Sequence, residues 1–205
     1  RGRRAISLEP YPQNQISKIE VDDDTPDGGL YFGHGRALVS GRKVKTAYVP
    51  DKMKIDTGSF VPDYGSSYYL KFVSDRFKSI IELMEPGVHQ FIPFEVIGKR
   101  NAFVEHMWFL IVCNRLDSVD REHTTLILYR GRDWIPATDV STEHWPSNFN
   151  PSFPVKLVFN LNQISSNHLW YDKHLGYGPY VSDTLADAMQ EAEITGASFV
   201  KQEAV

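Results

Sequence analysis

The side chains able to carry chemistry stand in short clusters, and most clusters fail on spacing. Gly33-His34-Gly35 followed by Gly41-Arg42-Lys43 has the outline of a phosphate-binding loop. A P-loop needs four residues between its glycines, then a lysine and a hydroxyl to reach phosphate and metal. Here Arg42-Lys43-Val44 follows the wrong interval, so a glycine-rich turn is the expectation. His168 and His174, with Asp172 between them, offer three ligating groups, but their spacing suits neither a helical pair nor a zinc finger. Glu105-His106 and Glu122-His123 place acid beside base. In extended chain, neighbouring side chains point to opposite faces and share no proton. The loop Asp22-Asp23-Asp24-Thr25-Pro26-Asp27 is rich in carboxylates, yet Pro26 and the lack of a closing glutamate defeat a calcium-loop register. There is no G-x-S-x-G elbow, and the single Cys113 lies in the apolar run Phe109-Leu110-Ile111-Val112, where it reads as a small buried hydrophobe. The expectation is a non-enzymatic protein with no catalytic residues, no metal and no cofactor.

What remains is charge and aromatic surface. Asp183, Asp187 and Glu191 recur at helical i, i+4, i+8 spacing and form one acidic stripe. Like charges so spaced cost a helix about 0.2–0.5 kcal/mol per pair. The stripe and the four carboxylates Asp22, Asp23, Asp24 and Asp27 are therefore candidate contacts for a basic partner. Trp134 and Trp145, each beside a carboxylate in a proline-rich stretch, are candidate apolar anchors. A rival reading gathers Trp134, His144, Trp145, His168, Trp170 and His174 into an aromatic pocket for a small ligand.

These groups need a frame, and one local pattern occurs twice. Phe72-Val73-Ser74-Asp75 and Tyr180-Val181-Ser182-Asp183 each precede apolar residues at i, i+3, i+4, i+7: Phe77, Ile80, Ile81 and Met84 in the first, Leu185, Ala188, Met189 and Ala192 in the second. Each serine is placed to cap a helix and each aspartate to meet its dipole. Gly87 and Gly196 suit helix-ending turns, and Phe91-Ile92 and Phe199-Val200 read as strands. Two strand–helix–strand units follow, with helices over about 75–85 and 183–193. Strands are also expected at 67–72, at 93–97, at 103–113 with 124–129 as its antiparallel neighbour, at 155–161 and at 169–171. The fold class is α+β with a mostly antiparallel sheet. Residues 1–65 form a β/loop region packed as an extension on a domain spanning 66–205, with a candidate seam at 146–154.

The 205 residues carry a net charge of −4, which argues against direct nucleic-acid wrapping. The last 24 residues hold Asp183, Asp187, Glu191, Glu193 and Glu203 against Lys201 alone. No apolar run approaches the roughly 20 residues of a membrane span, and the start shows no apolar signal segment. With one cysteine, this makes the cytoplasm the expected location.

Val73-Ser74-Asp75-Arg76-Phe77 and Pro86-Gly87-Val88-His89-Gln90-Phe91-Ile92-Pro93-Phe94-Glu95-Val96, read together with three later pieces, resemble a known family. Those pieces are Asp117-Ser118-Val119-Asp120-Arg121-Glu122, Leu169-Trp170-Tyr171 and Ile194-Thr195-Gly196. The family was first catalogued as a domain of unknown function and is now placed among the immunity proteins of bacterial polymorphic toxin systems. The resemblance covers about residues 66–205. It implies a cytosolic protein that binds and neutralises a cognate toxin, often a nuclease, and it supplies no catalytic residues. If the toxin is a nuclease, its groove is basic, and acidic surface competes there with phosphate.

Overall fold

The computed structural model describes residues 5–31, 36–145, 150 and 152–205. Its strands are β1 (Ser7–Tyr11), β2 (Lys52–Thr57), β3 (Tyr64–Ser67), β4 (Leu70–Val73), β5 (Gln90–Ile97), β6 (Phe103–Ile111), β7 (Arg115–Leu116), β8 (Ile127–Tyr129), β9 (Asp133–Ile135), β10 (Val158–Phe159), β11 (Leu169–Asp172), β12 (Tyr180–Val181) and β13 (Glu203–Ala204). The helices are α1 (Asp75–Met84), α2 (Leu161–Ile164) and α3 (Asp183–Glu191). Six strands form one sheet in the order β1-β2-β5-β6-β4-β3, antiparallel throughout except where β2 meets β5. The sheet curls: the Ser67 hydroxyl at one edge bonds the Leu8 carbonyl at the other. The α+β class and its antiparallel character are as expected.

Curling gives the sheet two apolar faces. The concave face holds Leu8, Met53, Leu70, Phe72, Phe94, Val96, Met107, Phe109 and Ile111. Ile16, Ile19, Val21, Ala37, Leu38 and Val44 close over them, so residues before 65 contribute both strands and core to this body. Alternate residues of β4 and β6, Val73 and Leu110, point the other way and meet Phe77 and Ile81 of α1 and Leu185 and Met189 of α3. Period-two strands and period-3.6 helices thus share one apolar layer. A third cluster of Val119, Leu126, Trp134, Phe159, Ile164, Trp170 and Leu175 sits under the small pairings of the C-terminal half.

Both helices start as their sequences dictate. Ser74 Oγ accepts from the Phe77 amide at 3.2 Å, and Ser182 Oγ from that of Leu185 at 3.1 Å. They end one and two residues earlier than expected, because Glu85 leaves helical geometry and Glu193 takes a positive φ of 51°.

The repeat holds only halfway. β4–α1–β5 is a complete strand–helix–strand unit, but Phe199 and Val200 are not strand residues; the next pairing is the two-residue β13, parallel to β10. The second unit therefore lacks its closing strand. The 67–72 segment is also no single strand: Tyr68 and Tyr69 turn it into the β3–β4 hairpin, both with positive φ. Residues 127–129 pair with β9 rather than with 103–113, whose neighbours are β5 and β4. A short hairpin closes fewer residues than the longer connection from 114 to 123 would, so the local pairing prevails. Of the 155–161 run, only Val158–Phe159 is strand.

Candidate functional site

The structure sorts the carboxylates of this protein into two kinds. The first kind is saturated with internal donors. Asp63, which no sequence motif singles out, joins the two helices. Its Oδ2 accepts the Thr195 amide at 3.0 Å and hydroxyl at 2.7 Å, and its Oδ1 accepts the Ser74 cap hydroxyl at 2.8 Å. Arg76 completes the set at 2.6 Å. Burial alone would raise this carboxyl, but the bonds from Arg76, Thr195 and Ser74 outweigh it and hold it well below the usual range. Gly196 follows at φ 86°, pressed so close to the Tyr64 carbonyl that a Cβ would lie 2.1 Å from that oxygen.

Glu85 does the same at the other end of α1. One oxygen accepts the Asn114 amide group at 2.8 Å and the His168 amide at 3.0 Å; the other meets His89 Nε2 at 2.8 Å. The Cys113 amide donates to His89 Nδ1, so Nε2 carries the proton and donates to Glu85. Burial opposes the charge on Glu85, and the His89, His168 and Asn114 bonds overcome it, lowering its pKa. His168 Nδ1 in turn shares a hydrogen bond with the Ser182 hydroxyl at 2.8 Å, tying this clamp to the cap of α3.

The Asp117–Glu122 motif is a third structural node. Buried Asp172 accepts the Ser118 amide and hydroxyl at 2.6 and 2.9 Å and the His174 amide at 2.7 Å. Asp120 takes the amides of Glu122 and His123, the His123 ring and the Asn160 side chain. These bonds overcome its desolvation and lower it to about 2.

Asp27 belongs to this saturated kind as well. It accepts Arg115 Nε at 2.6 Å and the Gly29 amide at 3.0 Å, and pairs with Arg42 at 3.1 Å. Burial opposes its charge, and the arginines and Gly29 hold it well below the usual carboxylate range. It pins the acidic loop to β7 and is committed inward.

The second kind is exposed and short of partners. Asp22, Asp23 and Asp24 all face solvent. Asp23 bonds Thr25 locally, which lowers its pKa. This loop rims an open groove of about 570 Å³ whose other wall carries Arg42, Lys43 and Arg115. On α3, Asp183 pairs with Lys201 at 3.0 Å across open solvent. Asp187 and Glu191 are exposed, and neither has an ion pair among the described residues.

The tryptophans are placed differently from the anchors expected of them. Trp134 is 7% exposed within the third apolar cluster, and Trp145 donates its indole N–H to the Ala137 and Val140 carbonyls. Both therefore hold the fold. The rival pocket does not assemble either. Trp170 bonds Ser118, His174 bonds the Arg132 carbonyl, His168 bonds Ser182, and His144 lies against Tyr129 at the surface. Each of these side chains is held by a separate partner. Among the described residues no three metal-binding side chains converge. The Gly33–Gly35 turn, and most of the seam at 146–154, lie outside the described residues. Cys113 is half-buried, and burial pushes its thiol up to about 11.

Donor-saturated carboxylates inside and exposed ones outside thus surround a curled sheet of α+β architecture. The family model for the immunity protein family Imm11 matches residues 37–204, and the chain belongs to that family. The match starts well before residue 66, where the legible motifs begin. No curated protein matches the chain. The family assigns a toxin-neutralising role. No helix among the described residues is long and apolar enough to cross a membrane.

Proposed function

We propose that this protein neutralises a nuclease toxin in the cytoplasm by seating acidic surface over the toxin's basic substrate groove, without chemistry of its own. The observation that carries this reading is the set of exposed carboxylates on a scaffold of the immunity family, of which Asp22, Asp24, Asp187 and Glu191 have no ion pair among the described residues. Asp22, Asp23 and Asp24 form one group and Asp183, Asp187 and Glu191 another. A nuclease groove gathers lysines and arginines to hold phosphate, and fixed carboxylates compete for the same cations. Such steering speeds encounter and excludes wrong partners, while buried anchors set the dissociation rate. Asp27 supports the first group by fixing its loop to Arg115.

The test is to co-express this chain with the toxin encoded beside it, scoring cell survival, co-elution and nuclease activity against added inhibitor. Survival with a 1:1 complex and stoichiometric loss of nuclease activity is the expected result. A toxin that stays active while saturated with this protein rejects the proposal.

A further inference from the structure

Neither tryptophan is free to anchor a partner, yet another pair of aromatics is. The β3–β4 hairpin turns on two residues, Tyr68 and Tyr69, at φ 53° and 70°. This turn shape belongs to Asn and Gly, because a side chain in the left-handed region crowds the following carbonyl. Two consecutive tyrosines are the wrong residues for it. The core does not ask for them either: Tyr68 is 49% and Tyr69 72% exposed. Among the described residues neither ring stacks on another aromatic or meets a cation, and neither hydroxyl has a hydrogen-bond partner. The stalk beneath them is firm. Leu70 and Phe72 are buried, Gly65 lies flat against the Phe72 ring, and Ser67 bonds across to Leu8.

The acidic loop shares this end of the sheet. Lys71 stands opposite Leu110 and Gln90 opposite Ile111, so the hairpin turn and the start of β5 flank the end of β6. The Gln90 side chain bonds both the amide and the carbonyl of Val44, and the Asp22 amide bonds the carbonyl of Lys43. A short bonded path thus links the turn to the exposed carboxylates Asp22, Asp23 and Asp24.

From this placement we propose that the Tyr68–Tyr69 turn is the aromatic anchor by which this protein seats on its toxin, with the neighbouring acidic loop meeting basic residues around the toxin's receiving recess. This rests on the reading under Proposed function and adds the docking end. Tyrosine suits an anchor of this kind, with a rigid ring to fill an apolar recess, a hydroxyl to bond a polar group at its base, and little side-chain entropy to lose. The backbone strain at the turn, where neither tyrosine gains a hydrogen bond or ring partner among the described residues, is expected where an exposed side chain serves an outside contact.

The test is the double variant Tyr68→Asn, Tyr69→Gly, which installs the residues the turn prefers. Its thermal unfolding is compared with that of the parent chain, and both are titrated against the neighbouring toxin domain by calorimetry. The expected result is an equal or higher melting temperature with a dissociation constant raised about 30-fold or more, as for loss of an interface hot spot. A variant that melts lower assigns the rings to the fold and overturns the proposal; so does unchanged affinity. A second variant, Asp22→Asn with Asp24→Asn, is expected to slow association at low salt and flatten its salt dependence. An unaltered association rate removes the loop from the docking end. If the parent chain itself fails to bind or protect, the toxin-neutralising reading falls. If it binds and protects while the Asn-Gly variant matches it, only the anchor falls.

Discussion

Replacing Asp63 by Asn tests whether the α1–α3 pair is held by one carboxylate. The side chain is 14% exposed, and its Oδ2 accepts two Thr195 donors while Oδ1 accepts Ser74. Asparagine keeps the shape but turns one acceptor into an N–H₂ group. The N–H₂ group turns to Ser74, whose hydroxyl can accept, so the Thr195 bonds survive but lose the charge that strengthens them. A hydrogen bond to a charged group contributes about 1.5–3 kcal/mol, and leaving a partner unsatisfied adds to the loss. Turning the charged bonds from Thr195 and Ser74 into neutral ones should therefore cost about 2 kcal/mol. The Arg76 pair stands largely in solvent and adds little. Urea unfolding at pH 7 reads this as a lower midpoint at unchanged slope. A cycle with Thr195→Val should show coupling, because both changes act on the same bonds. Asp63→Asn costing under about 0.5 kcal/mol, or strict additivity with Thr195→Val, refutes the clamp.

Gly196→Ala should destabilise by more than about 2 kcal/mol in the same assay, since a Cβ there meets both the positive φ and the Tyr64 carbonyl. The carboxyls of Asp27, Asp63 and Asp120 are all held below their unfolded values. Their stabilisation is thus fully present above pH about 4 and is lost as pH falls below it, for Asp120 down to about 2. Urea midpoints measured stepwise from pH 6 to 2.5 should decline through that window, and a flat profile would contradict the assignment. Cys113 should react with an aromatic disulfide reagent far more slowly at pH 8 than in urea, because its thiolate is disfavoured by burial. Exchanging Asp187 and Glu191 for lysine should leave folding intact or raise stability by a few tenths of a kcal/mol, because position 187 then attracts Asp183 and position 191 puts a cation in the last turn of α3, against one like-charge spacing that persists between 187 and 191. The same exchange should weaken toxin binding in a pull-down.

Local signals are legible wherever a feature closes over a few residues. The two caps at Ser74 and Ser182 and the buried helix faces through Phe77, Ile81, Leu185 and Met189 follow from spacing alone. The missing strand at Phe199-Val200 does not, because its pattern matches a strand whether or not a partner edge lies within reach, and the nearest pairing falls at Glu203–Ala204. Tyr68 and Tyr69 mislead for a physical reason: aromatics favour strands, and nothing in their type announces a left-handed turn. Asp63 is invisible because its partner Thr195 is far away in sequence and Asp63 itself belongs to no recognised motif. Likewise, proline-rich surroundings suggest that Trp134 and Trp145 stand in open loops, whereas the β8–β9 hairpin and the Ala137–Val140 turn enclose them.

One carboxylate cannot serve both the frame and the partner. Asp63, Glu85, Asp120 and Asp172 have their oxygens occupied by amides and side chains within the molecule, so an incoming lysine would have to displace bonds that hold the helices and loops in place. Asp22, Asp24, Asp187 and Glu191 have no such commitment, and fields from their side chains reach outward until salt screens them beyond about 10 Å. The two populations answer to different solution variables. Acid protonates the first and loosens the frame; salt screens the second and leaves the frame standing. A complex whose affinity falls with ionic strength at constant melting temperature would place the binding energy on the outer set. Substituting the outer residues then leaves the frame clamps fixed, since no carboxylate of this set bonds the frame and their charge spacing bears on folding by only about a few tenths of a kcal/mol.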